Sequence, residues 1–130
     1  MSQQAIEVIL TRQLSAHLAM PAFLVDAEGN ILHFNEAAER VLGDRLEKAR
    51  ELGVRDLATL FRTRDLQGRP VPAERLPIVV ALEKRHPAHA RLRVLDRQGN
   101  DVDVAVTAMP LVGQGDRFLG AIAFFWEVSE

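Results

Sequence analysis

The sequence predicts one α+β domain built on an antiparallel sheet, and three observations carry that expectation. A length of 130 residues, with 48% hydrophobic and 26% charged residues, suits a single globular unit that needs no staples. Strand-like segments gather at two places, with helix-like segments between them, instead of alternating with helices. Two strand pairs are joined by one turn pattern, Asp26-Ala27-Glu28-Gly29-Asn30 and Asp96-Arg97-Gln98-Gly99-Asn100. Loops that short join antiparallel neighbours, because a parallel connection needs a crossover of about a dozen residues or more.

Composition excludes several functions. There is no Cys, so disulfides, thiolate metal sites, a Cys nucleophile and a chromophore tethered through sulfur are ruled out. Formal net charge is -2, and acidic residues interleave the 16 basic ones, which argues for a solvated surface and against nucleic acid. No apolar run approaches the roughly 20 residues of a membrane span, and no secretory leader pattern is visible. The expected location is cytoplasmic, with no membrane partner.

Residues 3–18 read as an amphipathic helix, with Ile6, Ile9, Leu10, Leu14 and Leu18 on one stripe, and Pro21 stops it. Ala22–Val25 and Ile31–Phe34 form the first hairpin, with Gly29 taking the left-handed position of its turn. Asn35 then caps a helix over Glu36–Leu42 that ends at Gly43. Leu46 to Phe61 continues helically, with a break near Gly53, and Gly68, Pro70 and Pro72 mark a loop. Glu74 to Arg85 reads as one helix with Pro77 in its first turn. Ala90–Leu95 and Val102–Ala108 form the second hairpin, and Phe118–Val128 the last and most apolar strand.

The second turn predicts a register. With Arg97, Gln98 and Gly99 as the loop, Val94 faces Val102, Leu92 faces Val104 and Ala90 faces Val106. Arg93 then meets Asp103 on the opposite side, so apolar residues and an ion pair separate as period-2 strands require.

The segment Phe23–Glu39 resembles the first hairpin and N-capped helix of the PAS domain family. The tail Gly120–Ser129 is similar to that family's last strand, which commonly ends in Asp-Ile-Thr; here it ends in Glu127-Val128-Ser129. The Gly68–Pro72 stretch and Pro110 also fit. The resemblance implies residues 20–130 as a PAS domain and residues 1–19 as an amphipathic flanking or dimerisation helix. It implies a PAS-like five-stranded antiparallel sheet, order 2-1-5-4-3, with short helices over one face and the N-terminal helix on the other. The first hairpin is similar to that of photoactive yellow protein. Phe34 and Ala38 stand where that protein has a pocket Tyr and a chromophore-binding Glu, and its Cys is missing, so its photochemistry is not expected. The Asn-Cys-Arg-Phe motif of flavin-binding relatives is missing too. No cofactor is expected. A haem, were one present, would take His86 or His89.

The family pattern orients the sheet with Phe34, Leu32, Leu24 and Ala22 toward the pocket and His33, Ile31, Val25 and Phe23 outward. On the last strand Leu119, Ala121, Ala123 and Phe125 point inward, and Ile122, Phe124 and Trp126 outward. Expected pocket residues are Phe34, Ala38, Leu42, Leu57, Phe61, Ile78, Leu82, Val104, Ala123 and Phe125. Alanines at 38, 121 and 123 leave room for a small apolar ligand, or the core closes over. No Arg or Lys falls clearly in the inward set, so a charged ligand is not expected. The outer face is too apolar for water, and Ile6, Ile9, Leu10, Leu14, Phe124 and Trp126 are the candidate interface of a homodimer. His17 and His33 could meet there.

No catalytic constellation is visible: no metal site, no nucleophile elbow and no phosphate loop. Asp101 with Asp103, and Glu36 with Glu39, have structural explanations as strand partners and a helix N-terminus. The resemblance therefore implies a sensory and dimerisation module of bacterial-type signalling. Glu127, Val128 and Ser129 would relay a change to a histidine kinase, a transcription regulator or another output domain outside this chain, or to a partner protein. The alternative is a small α+β enzyme or ligand carrier using the same cavity.

Overall fold

The five strands are β1 (Ala22–Asp26), β2 (Ile31–Phe34), β3 (Ala88–Leu95), β4 (Asp101–Val112) and β5 (Phe118–Glu127). They form one antiparallel sheet in the order β2-β1-β5-β4-β3. The computed structural model describes residues 20–128, so the expected helix over residues 3–18, His17 and Ser129 lie outside the described residues. Four α-helices lie between the hairpins: α1 (Glu36–Leu42), α2 (Arg45–Leu52), α3 (Leu57–Leu60) and α4 (Pro77–Lys84). Among the described residues no helix is long and apolar enough to cross a membrane.

Both hairpins turn on an aspartate. The Asp26 carboxylate accepts from the backbone N–H of Glu28 (3.0 Å) and Asn30 (2.9 Å), and Asp96 does the same for Gln98 and Asn100 (both 2.9 Å). Asp65 repeats the arrangement with Gln67 and Arg69 in the Gly68 loop. The carboxylate thus closes the loop that the glycine's positive φ opens. The second hairpin has the expected register throughout, Leu92 opposite Val104 and Arg93 opposite Asp103. Each turn then docks on the helical layer. Val54 N–H donates to Gly29 O (2.9 Å), and Arg97 N–H donates to Val41 O (2.8 Å). Gly43 is needed at the second joint, where an added Cβ would stand 2.8 Å from Arg97 Cβ.

Three expectations need correction. First, the helix expected over Glu74–Arg85 divides. Ala73–Arg75 is a 3₁₀ turn, Leu76 is extended (φ -63°, ψ 136°), and α4 starts at Pro77. The ring of Pro77 drives the preceding residue out of the helical region. Second, Pro110 lies inside β4, opposite Ala121, and not after it. β3 ends its pairing at Ala88 opposite Ala108, so Pro110 sits where β4 has no neighbour on that side and its missing N–H costs no ladder bond.

Third, part of the sheet faces the other way. Phe23, Val25 and Ile31 belong to the main core with Ala121, Ala123 and Phe125, and Phe34 packs against it. Leu24 and Ile122 form a second cluster on the opposite face, with Leu32, Leu119, Leu111 and Phe124 against it, and Ala22 lies opposite Phe124. Two bulges explain the reversal. Phe23 pairs with Phe34 but Val25 pairs with Ile31, so Leu32 is an extra residue that breaks alternation within β2. Leu111 pairs with Gly120 but Val112 with Phe118, so Leu119 is extra in β5. Counting by twos across either bulge inverts every side chain beyond it.

Candidate functional site

An apolar cavity of about 70 Å³ lies between the sheet and the helical layer. Six of the expected residues line it: Leu42 of α1, Leu57 of α3, Phe61, Ile78 of α4, Val104 of β4 and Phe125 of β5. Phe23, Leu92, Val94 and Val106 complete the sheet side, and Thr63, Leu76 and Pro77 the helical side. Phe23 was expected outside; the bulge at Leu32 is the reason it lines the cavity, where its ring stands 6.4 Å from that of Phe125. Thr63, Leu76 and Pro77 carried no sequence signal as pocket residues, although the pre-proline position of Leu76 marks the bend that turns it inward.

The remaining four expected residues are elsewhere. Ala38 and Ala123 are fully buried in the core but do not line the cavity. Small side chains here bring α1 close to the sheet and fill no less well for being small. Phe34 is at the periphery, half-buried, with the Arg50 guanidinium 4.8 Å from its ring centre. Leu82 lines a separate polar cleft beside the first turn.

One end of the cavity is tied to the end of β5. Phe61 O accepts from Leu95 N–H (3.0 Å), and Arg64 and Arg93 exchange backbone bonds of 2.9 and 2.7 Å at the edge of β3. The Arg93 guanidinium grips Asp103 through two bonds of 2.7 and 3.2 Å, while Arg64 holds Asp101. Asp103 O then accepts from Val128 N–H (2.9 Å), and Glu127 lies opposite Val104. The hydrogen bond from Arg93 holds the Asp103 carboxyl below its ordinary value, and Arg64 does the same for Asp101.

On the outer face Phe124 is half-buried and Trp126 is 38% exposed. The Trp126 ring stands 6.2 Å from that of His89, whose Nδ1 is 2.7 Å from Thr107 Oγ1. His86 Nδ1 lies 2.9 Å from Pro87 O, and neither histidine lines the cavity.

A family model described as PAS fold matches residues 10–128. Among solved structures, the chain is similar to the PAS domain of Bordetella pertussis BvgS, at 16% identity over 95% of this chain and 87% of that one, with a TM-score of 0.56. It is similar to the PAS domain of an HTR-like protein from Haloarcula marismortui, at 18% identity, coverage of 92% and 90%, and a TM-score of 0.58. The PAS domain of nitrogen regulation protein NR(II) from Vibrio parahaemolyticus matches at 17% identity, coverage of 92% and 98%, and a TM-score of 0.55. No curated protein matches the sequence.

Proposed function

The chain belongs to the PAS fold family, and on that premise we propose that it is a sensory and dimerisation module of a signalling protein. The observation that carries this reading is that one strand, β5, both lines the cavity and runs on to the contacts around Asp103. Phe125 lines the cavity, and two residues later Glu127 leads out of the sheet beside Asp103 and Val104. A small ligand that repacks Phe61, Phe125 and Leu57 would shift β5 and the Arg93–Asp103–Val128 contacts, and Glu127, Val128 and Ser129 would pass the shift to an output domain or partner protein. Among the described residues Thr63 is the one polar side chain that lines the cavity, which supports apolar binding over acid–base chemistry.

The dimer reading rests on the outer face. Leu24 is fully buried and Ile122 is 4% exposed, and among the described residues every member of their cluster comes from a strand. An apolar sheet face of this kind needs cover. The proposal assigns that cover to residues 1–19 through Ile6, Ile9, Leu10 and Leu14, meeting Phe124 and Trp126 within a homodimer.

Sedimentation equilibrium tests assembly: the full chain is expected to be a dimer that weakens when residues 1–18 are removed. A monomer before and after deletion refutes it. Hydrogen exchange tests the relay. Benzene in the cavity should alter protection at Phe125–Val128, and unchanged exchange there with benzene bound overturns the sensing mechanism.

A further inference from the structure

We propose that the cavity's ligand is a short-chain carboxylate, with its apolar end inside and its carboxylate held by Arg62 in the groove outside Thr63. This rests on the reading of the cavity as a ligand site.

A surface groove of about 460 Å³ runs along the outer side of α3. Among the described residues three arginines line it, Arg55, Arg62 and Arg64, and no acidic residue does. Arg55 is committed to Glu83 and Arg64 to Asp101. Among the described residues Arg62 makes no ion pair, and Asp101, whose carboxyl feels its charge, is held by Arg64, so the Arg62 fork is the one available for two parallel bonds to a carboxylate. Arg62 has a left-handed backbone (φ 47°) because it terminates α3: its N–H donates to Thr59 O (3.2 Å) and the N–H of Thr63 donates to Ala58 O (2.9 Å), the two bonds of a Schellman cap.

That backbone twist divides the chain between two compartments. Phe61 points into the cavity and Arg62 lines the groove. Thr63, which follows, lines both. The facing loop divides the same way, with Leu76 and Pro77 on the cavity side and Pro70–Ala73 on the groove side. The joint between them is closed at Thr63, whose backbone O accepts from Val71 N–H at 3.1 Å. A ligand entering at this point opens one hydrogen bond and meets apolar wall ahead of it and guanidinium behind it.

The cavity sets the tail's length. At roughly 10–15 Å³ of such volume per water-sized atom, about 70 Å³ admits roughly five to seven heavy atoms. Hexanoate fits that length, and acetate has no tail to place.

Calorimetric titration of the full chain with hexanoate, hexan-1-ol and acetate is the test. Hexanoate is expected to bind at least about 10-fold more tightly than hexan-1-ol, with acetate failing to bind. Arg62→Gln should remove the hexanoate advantage and leave hexan-1-ol binding unchanged. Arg69→Gln, which alters an arginine outside the groove, should change neither. Equal affinity for hexanoate and hexan-1-ol overturns the carboxylate assignment while the cavity reading stands. Acetate binding as tightly as hexanoate overturns it by removing the role of the tail. Binding by none of the three overturns both.

Discussion

Replacing Asn35 with Ala should destabilise the domain more than any other single polar substitution in it. Asn35 is 2% exposed. Its Oδ1 accepts from Ala38 N–H at 2.9 Å, capping α1, and from Ala22 N–H at 3.0 Å, holding the start of β1. Its Nδ2 donates to Met20 O at 2.8 Å, which anchors the chain where it enters the sheet. Losing the cap costs about 1 kcal/mol. Leaving the fully buried Ala22 N–H without its acceptor costs about 1–3 kcal/mol more. Met20 is 43% exposed, so its carbonyl regains water and adds little. The sum is about 3 kcal/mol, a large fraction of the roughly 5–15 kcal/mol by which a domain is stable. Urea unfolding followed by circular dichroism should show that loss with an unchanged m-value. Asn35→Ser should recover about 1 kcal/mol, since a serine restores the cap but is too short for Ala22. A loss below about 1 kcal/mol for Asn35→Ala, or equal losses for both variants, would refute the reasoning.

Three further outcomes are expected. Gly120→Ala should cost about 3 kcal/mol or more, because the new Cβ would stand 2.0 Å from Val25 O at a φ of 146°; a urea midpoint close to wild type would contradict the bulge geometry. Val104→Ile places one more carbon in the cavity and should stabilise by up to about 0.8 kcal/mol, and a loss above about 1 kcal/mol would show that the space is not there. The lowered pKa values of Asp101 and Asp103 mean that their contribution is present above the ordinary value of 3.8 and is lost as pH falls through the folded values. The urea midpoint should therefore decline below about pH 4, less steeply in the Asp101→Asn/Asp103→Asn double variant; equal slopes would show that the ion pairs do not respond to folding.

The difference between what the sequence revealed and what it concealed has a single physical origin. β3 and β4 alternate clearly, with Leu92 and Val104 on one face and Arg93 and Asp103 on the other, so a slip of one residue would bury charge. Register and facing were both legible there. β1 reads Ala22-Phe23-Leu24-Val25, apolar at every position, because both faces of a central strand are covered. Either phase buries apolar atoms, so hydrophobicity does not choose between them. The choice is made by the bulges at Leu32 and Leu119, which no pattern of period two can reveal. The same ambiguity moved Phe23 to the wrong face and hid it from the expected pocket. Thr63 was missed for a different reason: its place depends on the left-handed turn at Arg62, and a non-glycine residue gives no warning of a positive φ.

The two-sided burial of β5 is also what makes the proposed mechanism economical. Phe125 meets the cavity, and its neighbours Phe124 and Trp126 meet the opposite face. Because consecutive side chains of a strand point to opposite faces on one stiff backbone, a displacement of Phe125 carries Phe124 and Trp126 with it. No chain of side-chain contacts through the core is required. Thr107 opposite Phe124 and Val106 opposite Phe125 hold the strand in register while it moves. Under the proposed reading, the shift crosses the sheet by strand geometry alone, so the far face and the Glu127 end of β5 feel it together.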